Sequence, residues 1–149
     1  MRRELYKIPG KVVGHHDPDL NVIIDTWTSL FVTLQQWQST VYQIGIVDYA
    51  PKNGVTAWVI DTSHARSVFP PEVQEFRRTV AKPKLEQNGV KYLFVVTPPS
   101  GIGKFSAGKT AELYDDDKDG LKSYEVTSVE EALEMLRREK SKDSIGAVS

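Results

Sequence analysis

From Val55 to Arg138 the chain alternates strand-like and helix-like stretches, with loops of only a few residues between most of them. The strand-like runs are VTAWVID (Val55–Asp61), VKYLFVV (Val90–Val96) and LKSYEV (Leu121–Val126). Strands that alternate with amphipathic helices build sheets with parallel connections covered by helices. The expected fold class is therefore α/β: a single-layer mixed sheet of about five strands, mostly parallel after an N-terminal hairpin, flanked by about four helices. The nearly continuous apolar run Val90–Val96 reads as a central strand buried on both faces.

Bulk properties narrow the function classes. The chain has 149 residues, which argues for one domain able to bury its own core. Residues 1–140 are read as that domain and 141–149 as a flexible C-terminal tail. The net charge of −1 offers no basic excess of the kind a nucleic-acid binder carries. With no cysteine, disulfides, thiolate metal sites and cysteine nucleophiles are excluded, which fits a reducing compartment. No apolar run approaches the ~20 residues that span a bilayer, and the arginines of MRRELYKIPG are not followed by an apolar core. A cytoplasmic protein is expected.

Before the alternating region, Leu5–Val13 reads as a weak strand interrupted by Pro9 and Gly10, and GHHDPDL (Gly14–Leu20) as a turn. LNVIIDTW (Leu20–Trp27) is a stronger strand, and the pair suggests an antiparallel hairpin. Thr33 and Gln36 have capping-box spacing, and Leu34, Trp37, Val41, Ile44 and Val47 form an apolar stripe behind them. Gly45–Tyr49 could alternatively be a short strand. Pro70-Pro71-Glu72 starts a second helix, with Val73, Phe76 and Val80 inward and Glu75, Arg77 and Arg78 outward. Pro83 is expected to kink or interrupt it, and Asn88-Gly89 to end it. A short helix is expected over Ser106–Tyr114. A last helix follows Thr127-Ser128, with Val129, Ala132, Leu133 and Leu136 as its stripe. Trp27, Trp37 and Trp58 read as core residues.

Three constellations could carry chemistry. Gly103–Thr110, GKFSAGKT, fits the phosphate-loop pattern, in which Gly103, Gly108, Lys109 and Thr110 would hold nucleotide phosphates and Mg²⁺. Six residues including two prolines separate it from its strand, and aspartates follow within five residues, so a Gly-Ser-Lys loop is the plainer reading. Asp115, Asp117, Asp119 and Gly120 begin like a calcium loop, but Val126 stands where a bidentate acid belongs. A solvated acidic turn is expected, with no metal or cofactor. His15 and His16 read as exposed turn residues. Asp61-Thr62-Ser63-His64 closes a strand at the end of the sheet where open α/β folds bind ligands. Ser63–His64 adjacency is not the geometry of a catalytic triad.

The order hairpin, helix, strand, helix, strand, helix, strand, helix resembles the STAS or SpoIIAA-like fold of anti-anti-sigma factors. The residues that carry the resemblance are Trp27 with Val32-Thr33-Leu34-Gln35-Gln36-Trp37, Val59-Ile60-Asp61, and Tyr124-Glu125-Val126 with Glu130-Glu131-Ala132-Leu133. The family's phosphorylated serine or threonine opens its second helix. Here that place holds Val68-Phe69-Pro70-Pro71-Glu72, and Ser67 is the nearest hydroxyl. The resemblance thus implies a small non-enzymatic regulatory or binding module without the usual switch. Its expected contact residues are Asp61, Ser63, Ser67, Pro70, Glu72 and Thr97, and its partner a protein or a small apolar ligand. A homodimer stays open.

Overall fold

The structure, a computed structural model, describes residues 2–65, 68–97 and 120–148, with the side chains of the last helix described as far as Ser141. Six strands form one mixed sheet in sequence order: β1 (Arg3–Ile8), β2 (Val12–Asp17), β3 (Val22–Trp27), β4 (Ala57–Asp61), β5 (Tyr92–Val96) and β6 (Lys122–Val126). β1, β2 and β3 pair antiparallel, and β3 to β6 pair parallel. The α/β expectation holds, with one strand more than expected. Three helices stand among the described residues. The short helix expected over Ser106–Tyr114 lies outside them.

The additional strand comes from the N-terminal segment. Instead of one strand broken at Pro9 and Gly10, residues 3–17 are a hairpin. Gly10 takes φ +73°, a left-handed conformation that glycine adopts without a Cβ penalty, and the Lys11 N–H donates to Ile8 O at 2.9 Å. His15 and His16, expected in an exposed turn, belong to β2, and His16 is buried. The turn falls after Asp17 and ends at Asn21, with φ +53°.

Helix α1 covers residues 34–53 as Leu34–Trp37, Gln38–Tyr49 and Ala50–Asn53, the middle part wound as a wide π-type helix. Gly45–Tyr49 is helical, not the alternative strand. The capping box is formed: the Gln36 N–H donates to Thr33 Oγ1 at 3.1 Å, and the Thr33 N–H to Gln36 Oε1 at 2.9 Å. Helix α2 covers residues 71–87 as Pro71–Phe76, the wide turn Arg77–Ala81, and Lys82–Gln87. It starts at the two prolines as expected and ends at Asn88-Gly89, with Gly89 at φ +91°.

The wide turns reset which side chains face inward. In α2 the buried residues are Val73, Arg77, Ala81 and Leu85, a spacing of four rather than 3.6. Val80, expected inward, is therefore 38% exposed, and Arg77, expected outward, is 3% exposed one turn after Val73. In α1 the same drift buries Gly45 and Ile46 and leaves Ile44 at the surface. The helix continues through Pro83: the Lys82 N–H reaches back five residues to Arg77 O, which moves the preceding turn away from the ring. In α1 the corresponding wide bond runs from the Ala50 N–H to Gly45 O. Pro51 has no N–H to continue that register to Ile46 O, and Asn88 Nδ2 donates to that carbonyl at 2.8 Å instead.

Helices α1 and α2 pack on one face of the sheet, where Ile23, Trp27, Trp58, Ile60 and Leu93 meet Trp37, Val41, Ile46, Val73, Ala81 and Leu85. All three tryptophans are core residues. Helix α3 (Val129–Val148) lies on the other face, with Ala132, Leu133 and Leu136 against Val59, Phe94 and Val126. Its backbone runs to Val148, into the stretch read from sequence as a tail. No helix among the described residues is long and apolar enough to cross a membrane.

Candidate functional site

The C-terminal ends of the parallel strands bring together the described parts of the loops after β3 and β4 and, after β5, Thr97. Asp61 ends β4 and is 6% exposed. Its Oδ1 accepts from the Ser63 N–H at 3.0 Å and from the Ser63 hydroxyl at 2.6 Å. This local ring is an Asx-type turn that takes the chain off the strand. Thr62 is fixed to β5: its N–H and its hydroxyl both donate to Val96 O, at 3.1 and 2.7 Å. Thr97 continues from β5 and its N–H donates to Val126 O at 3.1 Å. His64 is exposed on the same turn. The Ser63 hydroxyl thus bonds Asp61 within this turn and helps to shape the loop.

Around this turn stand apolar groups. Phe31 is 70% exposed in the loop between β3 and α1, although its neighbours Leu30 and Val32 are buried. The loop is shaped by the Phe31 N–H donating to Ser29 Oγ at 3.2 Å and the Val32 N–H to Leu30 O at 3.1 Å, so Phe31 is turned outward by its own backbone. Lys11 Nζ lies 5.8 Å from the centre of its ring. Val68 is 39% exposed, next to Phe69, whose ring packs edge-on to Trp27 at 4.9 Å. Pro70 caps α2, and Glu72 sits exposed in its first turn, where an acid suits the helix dipole. Ser67 lies outside the described residues. So do Gly103, Gly108, Lys109 and Thr110 of the phosphate-loop match, and Asp115, Asp117 and Asp119 of the acidic turn. Among the described residues no group of three or more His, Cys, Asp or Glu is arranged to hold a metal ion.

Two ionisable groups strongly altered by their surroundings, Asp25 and Tyr6, are ones the sequence reading did not single out. Asp25 lies in the middle of β3, 2% exposed, on the face covered by α1 and α2. The Tyr6 hydroxyl from β1 donates to its Oδ1, and the Trp58 indole N–H from β4 donates to its Oδ2 at 2.8 Å. Burial pushes its carboxyl up from 3.8 to about 6, against the two hydrogen bonds and the charge of Arg77, which favour the ionised form. Burial, then the negative charge of Asp25, also raises the Tyr6 hydroxyl well above its ordinary range. The Arg77 guanidinium lies 4.4 Å from the Phe69 ring centre and 6.0 Å from that of Trp37. The available signal was the acid inside the apolar strand VIIDTW, in phase with the inward-facing Ile23 and Trp27.

At the opposite end of the sheet, His16 joins the hairpin to α1. Its Nε2 pairs with Asn21 Oδ1 at 2.7 Å and its Nδ1 with the Tyr49 hydroxyl at 2.8 Å. Asn21 Nδ2 in turn donates to Asn53 O and Gly54 O, at 3.1 and 2.5 Å. Both ring nitrogens are occupied by structural contacts. A groove of about 410 Å³ also opens at this end, beside Glu86, Lys91, Tyr92 and Lys122.

These features define an α/β protein with a sequentially ordered mixed sheet and an apolar-rimmed loop cluster at the C-terminal ends of its parallel strands. Models of protein families, curated proteins and solved structures return no match to the chain.

Proposed function

We propose that the chain is a STAS-like, non-enzymatic binding module that docks a protein partner on the loops at the C-terminal ends of β3 and β4. The observation that carries this reading is Phe31, an aromatic side chain 70% exposed at that end while the residues on either side of it are buried. Exposed aromatic groups on rigid loops are typical anchors of protein interfaces. Open α/β sheets use this same end for recognition. Phe31 and the half-exposed Val68 present apolar surface to solvent, a feature that favours a protein partner. The local roles of Asp61, Ser63 and Thr62 in shaping the turn fit a recognition loop. The order of hairpin, strands and helices supports the STAS-like assignment, and the prolines at residues 70 and 71 support a module that works without phosphorylation at the start of α2.

Native mass spectrometry of the chain isolated from its own cells tests this reading. A complex with a second, different protein is expected, and it should be lost in the double variant Phe31→Asp, Val68→Asp while the variant stays folded. Retention of the complex in that variant, or a bound small molecule as the sole companion, contradicts it.

A further inference from the structure

The buried cluster around Asp25 joins an edge strand to the centre of the sheet. Among the described residues β1 pairs only with β2, and within it only Tyr6 and Ile8 are buried. An irregularity in its pairing between Glu4 and Tyr6 resets the register and aims Tyr6 inward. The Tyr6 ring then fits a slot made by two glycines. A Cβ at Gly14 would come within 2.3 Å of the ring, and one at Gly45 within 2.9 Å. At the bottom of the slot the hydroxyl meets Asp25. Tyr6 is thus the polar fastening between β1 and the core.

That fastening has two chemical states. With Asp25 ionised, both oxygens accept, from the Tyr6 O–H and the Trp58 N–H. With Asp25 protonated, the Trp58 N–H can still donate, and the Tyr6 oxygen can accept from the carboxyl proton, because a phenol is both donor and acceptor. Both states are hydrogen-bonded while β1 is seated, but they differ when it lifts. Lifting Tyr6 lets water reach Asp25, which favours the ionised carboxylate far more than the neutral acid.

We propose that the Tyr6–Asp25–Trp58 cluster is a proton-linked latch on strand β1, closed more tightly when Asp25 takes up a proton from solvent and loosened when it returns one. The sign follows from linkage: β1 opening exposes a group that is harder to ionise when covered, so opening becomes more favourable as pH rises. The groups facing the cluster are few. β1 contributes Tyr6, and β4 the non-titrating Trp58. β2 contributes His16, two residues from Gly14, which is itself paired with Asp25. α1 contributes Tyr49, bonded to that histidine, while its Asp48 and Lys52 pair on the exposed side at 3.8 Å. α2 contributes Arg77, whose permanent charge favours the ionised form at every pH in question. His16 is the histidine on β2 beside the cluster, so the test includes a variant at that position.

Amide hydrogen exchange of Arg3–Ile8 in the whole chain, corrected for the intrinsic pH dependence of exchange, reads the opening directly. Between pH 5 and 7.5 the protection of these amides is expected to fall about tenfold or more in the wild type, since one pKa unit is a factor of ten. The fall should persist in His16→Gln and vanish in Asp25→Asn. Unchanged protection in the wild type, a fall that survives Asp25→Asn, or one abolished by His16→Gln would overturn the latch. Should Asp25→Asn not fold, the ¹³C shift of the Asp25 carboxyl in the wild type decides. A titration near pH 6 in step with β1 protection supports the latch, and one with its midpoint near pH 4 or below contradicts it.

Discussion

Asp25 shows how one residue can hold a sheet together at an energetic cost. Its carboxylate is removed from water and given two neutral donors and a nearby guanidinium, yet burial still dominates and its folded value is pushed up from 3.8 to about 6. Because the folded value lies above the unfolded one, the stabilisation from proton uptake is complete below about pH 4 and is lost as pH rises through about 6. Asp25→Asn removes that dependence. Measured by urea unfolding, the stability of the variant relative to wild type should shift in favour of asparagine between pH 4 and pH 7.5, by on the order of 2–3 kcal/mol. A difference that stays constant with pH would show that Asp25 does not titrate in that range. This cluster was only partly legible in the sequence. An acid inside an apolar strand is visible, but its partners stand 19 and 33 residues away, and only the folded sheet brings Tyr6 and Trp58 to it. Arg77 was misplaced for a different reason, which belongs to its helix.

Local signals read well wherever the chemistry is local. The Thr33–Gln36 capping box, the prolines that start α2 and the Asn88-Gly89 stop are each contained within a few residues, and each falls where the sequence places it. Phase is a property of the whole helix, and there the 3.6-residue template fails. The wide turn at Arg77–Ala81 advances the inward face, so Ala81 replaces Val80, while Phe76 packs against Trp37 and Tyr42 as expected and Arg77 is buried one turn after Val73. Paired substitutions separate the two phases. Val80→Asp should change stability by no more than about 0.5 kcal/mol, the range of ordinary surface changes. Ala81→Asp puts a charge at a position with no exposure and should cost several kcal/mol or prevent folding. Thermal unfolding of the two variants checks this, and the reverse ranking would restore the regular phase. The N-terminal hairpin was half legible: Pro9 and Gly10 were read as an interruption of one strand, when the left-handed Gly10 makes them the turn between two.

At the scale of the whole molecule, the alternation of strands and helices determines which ends of the strands meet. Sequential order in β3 to β6 places Asp61, Thr97 and the loops before α1 and α2 at one end of the sheet, and the His16–Asn21–Tyr49 contacts at the other. The first end presents Phe31 and Val68 to solvent; the second uses its polar groups to fasten the hairpin to α1. The place of the candidate site was legible because strand order implies it. The exposure of Phe31 was not, since it depends on the short loop turning one apolar residue out between two that turn in. Site-specific photo-cross-linking tests the docking reading most directly, with a benzophenone amino acid placed in turn at residues 31, 68, 44 and 80 and the products identified by mass spectrometry. Capture of one and the same protein from positions 31 and 68, and not from positions 44 and 80 on the outer helix faces, is the predicted result. Equal capture from all four positions, or capture only from positions 44 and 80, would contradict it.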